Sequence, residues 1–194
     1  MVLSELLSEI RGCRVCAADL QHEPRPVIQA SQEARILITG QAPGTRVHAS
    51  GRPFTDPSGD RLRDWMQVDE ATFYDPAQIA IVPMGFCFPG LDAKGGDLPP
   101  RKECAPLYQA RVREALPNIQ LTLLVGMYAQ RFHLRSQVQK TLTETVRQTE
   151  RYQPDFLPLP HPSWRNNAWL SKNSWFEAKI LPLLRRRIRD VLHN

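Results

Sequence analysis

Four short apolar segments, each too short to form a helix, constrain the fold of this chain more than any other feature of its sequence. They span residues 35–39, 78–83, 120–125 and 155–159, are rich in Ile, Leu and Val, and are bounded by Gly or Pro. Helical patterns separate them, and alternating strands and helices predict a mainly parallel sheet with helices on both faces. We therefore expect an α/β fold over residues 1–194, a single-domain α/β/α sandwich with a central four-stranded sheet.

The helical patterns lie between and around these segments. They cover residues 3–10, 58–66, 107–116, 127–146 and the C-terminal region from residue 174. The last is the clearest, because residues 174–177 (SWFE) have the sequence of a capping box. Apolar residues then recur every four positions as a core-facing stripe: Phe176, Ile180, Leu184 and Ile188. Pro182 is expected to kink or break this helix.

Composition sets limits on the class of protein. A net charge of +5 permits a polyanionic partner without requiring one. No segment approaches the roughly 20 apolar residues that span a bilayer, and Glu5 and Glu9 interrupt the apolar residues of the N-terminus, unlike a signal peptide. We expect a cytoplasmic protein without a membrane partner, and a monomer.

Two stiff loops follow the first and last predicted strands. Residues 40–44 read GQAPG and residues 160–163 read PHPS. In open α/β sheets, ligands bind outside the carboxyl ends of the strands. Both loops leave such ends, so we expect them to face each other across one cleft.

The chain has four cysteines, Cys13, Cys16, Cys87 and Cys104, of which the first two form a C-x-x-C pair. Disulfides are rare in cytoplasmic proteins of this size. Four thiolates from separate segments could instead coordinate one metal centre, and tetrahedral zinc and a [4Fe–4S] cluster both accept four sulfur ligands. The residues alone leave both metals open, together with the alternative of ordinary reduced thiols.

Taken together, these segments resemble the uracil-DNA glycosylase superfamily, most closely its iron–sulfur bacterial and archaeal branch. The resemblance rests on the order and spacing of the CRVC, GQAPG, GRPF and DPSG segments, the third and fourth cysteines, and the HPS segment of residues 161–163. It implies a DNA glycosylase that flips a deaminated base, uracil or a related one, out of single- or double-stranded DNA and hydrolyses its N-glycosidic bond in base-excision repair. It also implies that the four cysteines hold a structural [4Fe–4S] cluster, with zinc as the alternative.

The resemblance assigns roles to individual residues. Phe54 matches the phenylalanine that stacks on the flipped base, and His161 matches the histidine that donates a hydrogen bond to the departing base. Gln41 would help to place the attacking water. The remaining substrate-binding candidates are Gly40, Ala42, Pro83, Met84 and Gly85. The candidates for binding the DNA backbone, or for a wedge in the gap left by the flipped nucleotide, are Pro43, Gly44, Pro162, Ser163, Trp164, Arg165 and Asn166.

One departure from the family concerns the acid that positions water. Iron–sulfur members carry a glutamate where this chain has Gln41, and an amide cannot accept a proton from water. His48, Asp56 and Asp60 are candidate substitutes. We place Asp56 first as a catalytic residue because it lies in the same loop as Phe54. The alternative role for Asp56 is to cap the helix that begins after it.

A second departure concerns base selection. Pro83 stands where the family reads a pyrimidine with an asparagine, and proline has neither an N–H nor a side-chain amide. The backbone of Met84 or Gly85 is the alternative reader. Uracil, hypoxanthine and xanthine therefore all stay open as substrates.

Two other functions remain compatible with these departures. The first is a catalytically silent nucleic-acid-binding member of the superfamily, and the second is a hydrolase of a free nucleoside or nucleotide.

Overall fold

The computed structural model of the chain describes residues 2–193 and contains a four-stranded parallel sheet. Its strands are β1 (Ile36–Thr39), β2 (Ile79–Ile81), β3 (Leu121–Val125) and β4 (Phe156–Leu159), in the order β2-β1-β3-β4. Every neighbouring pair of strands is parallel. Helices flank the sheet, so the predicted α/β sandwich with a central parallel sheet is confirmed.

Nine α-helices accompany the sheet within the described residues. They are α1 (Leu3–Arg11), α2 (Thr45–Ser50), α3 (Pro57–Met66), α4 (Glu70–Phe73), α5 (Cys104–Glu114), α6 (Met127–Leu134), α7 (Leu142–Arg147), α8 (Asn167–Lys172) and α9 (Leu181–His193). A π-helical turn, Phe176–Ile180, runs directly into α9. Short 3₁₀ turns occur at Ala17–Asp19, Arg135–Gln137, Thr149–Tyr152 and Trp164–Asn166.

The register of the sheet brings the carboxyl ends of its strands to one edge. Thr39 at the end of β1 lies beside Leu124 of β3, and Val125 at the end of β3 lies beside Leu159 of β4. The loops that follow these strands therefore leave the sheet side by side, as expected for a parallel sheet.

Both faces of the sheet are buried, and successive residues of each strand point to opposite sides. Ile36 and Ile38 of β1 pack on one side with side chains of α3, the π-helical turn and α9: Leu62, Met66, Phe176 and Leu184. Leu37 packs on the other side with side chains of α1 and α5: Leu6, Ile10, Tyr108 and Val112. The core thus lies in two layers that hold β1 at the centre of the molecule.

The helix predicted over residues 127–146 is wrong as a single element. It divides into α6 and α7, and the chain between them takes a positive φ of 50° at Arg135. α7 starts at its own capping box, in which Thr141 and Glu144 each accept a hydrogen bond from the other's backbone N–H. A local cap of this kind begins a new helix in an otherwise continuous apolar pattern.

The capping box predicted at residues 174–177 is also not formed. Trp175 occupies the cap position without a side-chain hydrogen bond, and the turn that follows is π-helical. Pro182 is the second residue of α9. Its ring would clash with a backbone carbonyl if the preceding turn were a regular α-helical turn. The wider π turn removes that clash. The predicted core stripe is nevertheless confirmed, because all four of its members are buried: Phe176, Ile180, Leu184 and Ile188.

Among residues 2–193, no helix combines the length and the apolar character that a membrane crossing requires.

His133 of α6 is a titratable group that the fold partly buries. Its Nε2 lies buried and makes no hydrogen bond within residues 2–193, while its ring packs against Phe156 with the centroids 6.1 Å apart. Desolvation, assisted by the nearby charges of Arg113 and Arg135, lowers the pKa of His133 from 6.5 to about 4. The unfolded chain therefore binds one more proton than the folded chain between these two pH values.

We expect this proton uptake to destabilise the fold as the pH falls from 6.5 to about 4. His133→Leu should remove that contribution, so that the melting temperature of the variant falls by a few degrees less than that of the wild type over this range. Thermal unfolding followed by circular dichroism measures the difference. His193→Leu at the exposed end of α9 is the matched control and should behave like the wild type. Equal pH dependence in wild type and His133→Leu would contradict the assignment.

Candidate functional site

A cavity of about 790 Å³ opens at the carboxyl ends of the strands. Its wall includes the loop after β1 with the start of α2, the segment at residues 53–58, the end of β2 with Pro83, the loop at residues 92–97 and the segment after β4. It brings together most of the predicted site residues: Gly40, Gln41, Ala42, Pro43, Gly44, Phe54, Asp56, Pro83, His161, Ser163, Trp164, Arg165 and Asn166. The two stiff loops therefore do face one cleft. Met84, Gly85 and Pro162 lie outside the lining.

Phe54 is held in a strained backbone conformation at the base of the cavity. Its φ is 54°, which is uncommon for a residue with a side chain. Its carbonyl oxygen accepts a hydrogen bond from Tyr74 Oη at 3.0 Å, and a Cβ at Gly59 would overlap the same oxygen. The tip of its ring lies 3.6 Å from the position that a Cβ at Gly40 would take. Strain persists where the surroundings over-determine it, and such positions are common at functional sites.

His161 presents one ring nitrogen to its own loop and keeps the other free. Nδ1 accepts a hydrogen bond from the backbone N–H of Ser163 at 3.2 Å, so the neutral ring carries its proton on Nε2. Asn166 Nδ2 donates to the His161 carbonyl at 2.7 Å and steadies the backbone. Desolvation lowers the pKa of His161, against smaller opposing effects of Asp56 and Asp97. The residue is therefore a neutral hydrogen-bond donor through Nε2 near neutral pH.

The backbone after β2 is tied to the loop after β1. The N–H of Met84 donates to the Gly40 carbonyl and the N–H of Gly85 donates to the Gln41 carbonyl, both at 3.0 Å. The Met84 side chain is buried, and its sulfur accepts a hydrogen bond from Thr39 Oγ1 at 3.6 Å. Both N–H groups thus already have partners inside the protein, and the prediction that the backbone of Met84 or Gly85 reads a base stays a prediction.

Pro83 lines the cavity but offers no hydrogen-bond donor to it. Its carbonyl oxygen accepts a hydrogen bond from the buried Gln109 Nε2 at 2.7 Å. The position therefore presents an apolar ring to whatever the cavity holds.

The candidate acids occupy different environments. Asp56 lines the cavity and stands at the cap position of α3, but its carboxylate accepts no capping hydrogen bond, so the capping alternative is not observed. Asp60 instead forms a salt bridge with Arg63. His48 packs against His22 and Phe88, with ring centroids 5.4 Å and 5.7 Å away. Neither Asp60 nor His48 lines the cavity.

The loop between β2 and α5 contributes residues that sequence reasoning missed, namely Asp92, Gly96 and Asp97. Asp92 Oδ1 accepts backbone hydrogen bonds from Lys94 and Gly96, each at 2.8 Å, and Leu91 forms a β-bridge with Asp97. The Asp97 carboxylate oxygens lie 3.6 Å and 3.9 Å from the position that a Cβ at Gly44 would take. Two successive glycines, Gly95 and Gly96, indicate a tight turn before Asp97, but nothing local shows which cavity such a turn faces.

The segment after β4 forms the rim of the cavity. Trp164 is 70% exposed there. Arg165 Nη2 donates to the Gly95 carbonyl at 3.2 Å, which links this segment to the loop carrying Asp97. Arg61 Nη1 donates to the Ser163 carbonyl at 3.2 Å and fixes the segment to α3.

The four cysteines line a second, much smaller cavity of about 20 Å³, together with Leu20, Pro24 and Arg101. None of the four is in a disulfide. Burial, together with the proximity of Cys104, raises the pKa of the Cys87 thiol to about 12. Within residues 2–193, no three Cys, His, Asp or Glu side chains are already arranged around a common metal position. The donor set, four free thiols at one small cavity, nevertheless fits a four-thiolate centre in chemistry and number.

Comparison with known protein families agrees with the geometry of the larger cavity. The sequence model of the Uracil DNA glycosylase superfamily matches residues 28–185. The match includes the loop after β1, Phe54, the loop at residues 92–97 and His161, and it leaves Cys13 and Cys16 outside. The matched range covers most of the chain and nearly all of the cavity lining, and the chain belongs to the uracil DNA glycosylase superfamily.

Proposed function

We propose that this protein is a monofunctional DNA glycosylase that holds a flipped, deaminated base in the large cavity and hydrolyses its N-glycosidic bond in base-excision repair. The single observation that carries the proposal is that His161 and Phe54 line one cavity at the carboxyl ends of the strands. Superfamily membership supports glycosylase-like chemistry, while the reaction and the base are our inference.

Phe54 is suited to stack on a flipped base. A base inside a duplex is out of reach, so an enzyme acting on it must extrude it and hold it by stacking and hydrogen bonds. The ring of Phe54 is fixed by its strained backbone and by edge contact with Phe73, whose ring centroid is 6.1 Å away. A ring fixed before binding loses little conformational entropy when the base arrives.

His161 is suited to stabilise the departing base. Cleavage of the N-glycosidic bond leaves negative charge on the base, and a donor fixed where that charge develops lowers the barrier. The Nε2–H of the neutral ring is such a donor, since Ser163 occupies the other nitrogen. Desolvation lowers the pKa of His161, so the ring keeps its neutral form down to a lower pH than an ordinary histidine would.

The rim of the cavity is suited to hold distorted DNA. Pro43 and Pro162 restrict the loops that leave β1 and β4, which keeps their backbone ordered before binding. Trp164 is the exposed aromatic at this rim and can stack in the gap that a flipped nucleotide leaves. Arg165 already donates to Gly95, so contact with a phosphate requires it to exchange that hydrogen bond.

The base specificity we propose is broad. Pro83 has no donor, and the backbone N–H groups of Met84 and Gly85 are bonded to the loop after β1. Neither Pro83 nor these two N–H groups select a pyrimidine edge, so hypoxanthine and xanthine fit the proposal alongside uracil.

The proposal is tested with single- and double-stranded oligonucleotides that carry uracil, hypoxanthine or xanthine. We expect an abasic site in at least one of them, detected by alkaline cleavage of the strand. His161→Ala should slow base release by about a hundredfold or more if hydrogen bonding to the leaving base dominates. His193→Ala, which removes an exposed histidine at the end of α9, is the matched control and should leave the rate unchanged.

Other outcomes of this test identify other functions. Binding of these DNAs with steep salt dependence, but without base release, would indicate a catalytically silent nucleic-acid-binding member. Hydrolysis of free nucleosides with little salt dependence would indicate a nucleoside or nucleotide hydrolase. Absence of DNA binding, of base release and of nucleoside hydrolysis together would reject all three.

We also infer that the four cysteines hold a [4Fe–4S] cluster, with a four-thiolate zinc site as the alternative, and that the chain belongs to the iron–sulfur branch of its superfamily. The convergence of four free thiols on one cavity supports this. When bound, the group would serve as a covalent cross-link between the N-terminal segment and the two ends of the loop at residues 88–103. Hydrolysis of a glycosidic bond transfers no electrons, so we assign it no part in the chemistry.

Cys87→Ala should lose the broad visible absorbance of an iron–sulfur protein and lower the melting temperature, because one of four ligands is missing. Iron, sulfide and zinc analysis of anaerobically purified protein measures the content. Lys94→Ala, in the same loop but with all four thiols in place, is the control and should keep the absorbance. Stoichiometric zinc in colourless wild-type protein would reject the iron–sulfur centre in favour of zinc.

A further inference from the structure

We propose that Asp97 is the general base of the reaction, a carboxylate that the loop between β2 and α5 supplies to the cavity in place of the acid absent from the loop after β1. This inference rests on the proposed glycosylase function and adds a catalytic residue to it.

Hydrolysis requires a group that can take a proton from the attacking water. Gln41 cannot do so, because an amide oxygen accepts a hydrogen bond but is not protonated near neutral pH. Three carboxylates line the cavity within the described residues: Asp56, Asp92 and Asp97. One oxygen of Asp92 already accepts two backbone hydrogen bonds and shapes its own loop.

The position of Asp97 places its carboxylate against the loop after β1. Its two oxygens lie 3.6 Å and 3.9 Å from where a Cβ at Gly44 would be. A side chain at residue 44 would therefore meet the carboxylate, whereas glycine leaves the space between them open. Phe54 lies against Gly40 at the other end of the same loop. One short loop thus has the proposed stacking ring at its start and a carboxylate at its end.

Gln41 is a positioning residue for the loop that carries Asp97. Its Nε2 donates to the carbonyl of Leu98, the residue after Asp97, at 3.5 Å. A glutamate at residue 41 could not make this contact, because a carboxylate has no proton to donate and would face a carbonyl oxygen. The two residues therefore have complementary roles. The side chain of Gln41 fixes the backbone next to Asp97, and Asp97 provides the carboxylate.

The surroundings of Asp97 also suit a base better than those of Asp56. The Asp97 carboxylate accepts no hydrogen bond in the described part of the chain, and desolvation raises its pKa, against smaller opposing effects of Arg165 and His161. A raised pKa makes a carboxylate a better proton acceptor. Asp56 stands at the cap position of α3, beside the partial positive charge of the helix start. That position favours a purely electrostatic role.

The step balances with water as the only co-reactant. A bond forms between the water oxygen and C1′ of the sugar, and the bond from C1′ to the base nitrogen breaks with its electron pair leaving on the base. Asp97 accepts one proton of the water. The base anion accepts a hydrogen bond from His161 and takes its proton from solvent, to which Asp97 later returns its own.

Single-turnover base release from the best oligonucleotide substrate tests the assignment. Asp97→Asn keeps the size of the side chain and should slow release by about a hundredfold or more, the usual contribution of a general base. DNA binding and melting temperature should stay at wild-type values. Asp60→Asn, which removes an exposed carboxylate outside the cavity, is the matched control and should be unchanged.

The pH profile separates proton transfer from structural support. The rate of base release by the wild type should rise with pH as Asp97 loses its proton. This rise should be absent in Asp97→Asn and present in Asp56→Asn. The charged or titratable groups that act on Asp97 are Arg165, His161, Asp56 and Asp92. Gln41→Glu in the Asp97→Asn background should recover part of the rate, because it places an acid in the loop after β1, on the wall of the same cavity.

The outcomes distinguish this inference from the proposed function. The role of Asp97 would be overturned, and the proposed function kept, if the wild type releases a base and the rate of Asp97→Asn lies within about threefold of the wild-type rate with the same pH profile. Loss of the pH limb in Asp56→Asn instead would transfer the role to Asp56. Wild-type protein that releases no base would reject the proposed function and this inference together.

Discussion

The parallel pairing of β1 with both of its neighbours is the constraint on which the rest of the structure depends. β1 lies between β2 and β3 with both faces buried, so its direction and register are fixed by hydrogen bonds on two sides. Parallel strands deliver their carboxyl ends to one edge of the sheet. Residues 40–44 therefore emerge between the carboxyl ends of β2 and β3, at the edge where the segment after β4 also leaves the sheet.

A second layer of contacts fixes the cavity once the sheet has placed its loops. The backbone after β2 donates two hydrogen bonds to the loop after β1, Gln41 donates to the carbonyl of Leu98, and Arg165 donates to that of Gly95. The last two contacts connect the loop after β1 and the segment after β4 to the loop between β2 and α5. Such cross-links hold donors and acceptors in place before a substrate arrives, which lowers the reorganisation that binding and reaction require.

Two of the four cysteines of the small cavity flank the loop at residues 88–103, which contributes Asp97 to the large cavity. Cys87 lies just before the loop at residues 88–103, and Cys104 is the first residue of α5 directly after it. Anchoring there, together with the salt bridge of Arg101 to Asp19 at 2.9 Å, would restrict a long irregular segment at both ends. The proposed cluster and the loop that carries the proposed base would thereby be coupled through the backbone, without any shared chemistry.

The sequence by itself determined the strands, their parallel arrangement and the two stiff loops, because apolar periodicity and the placement of glycine and proline are local properties of the chain. It also identified Phe54 and His161, through the motifs that surround them. Where local patterns competed, as in the helix predicted over residues 127–146, a single cap at Thr141 decided the outcome. Only the tertiary structure decided which nitrogen of His161 carries the proton, which backbone N–H groups are already bonded, and that Asp97 reaches the cavity. The contact that presents Asp97 joins residues 57 positions apart, and no local pattern records a pairing over that distance.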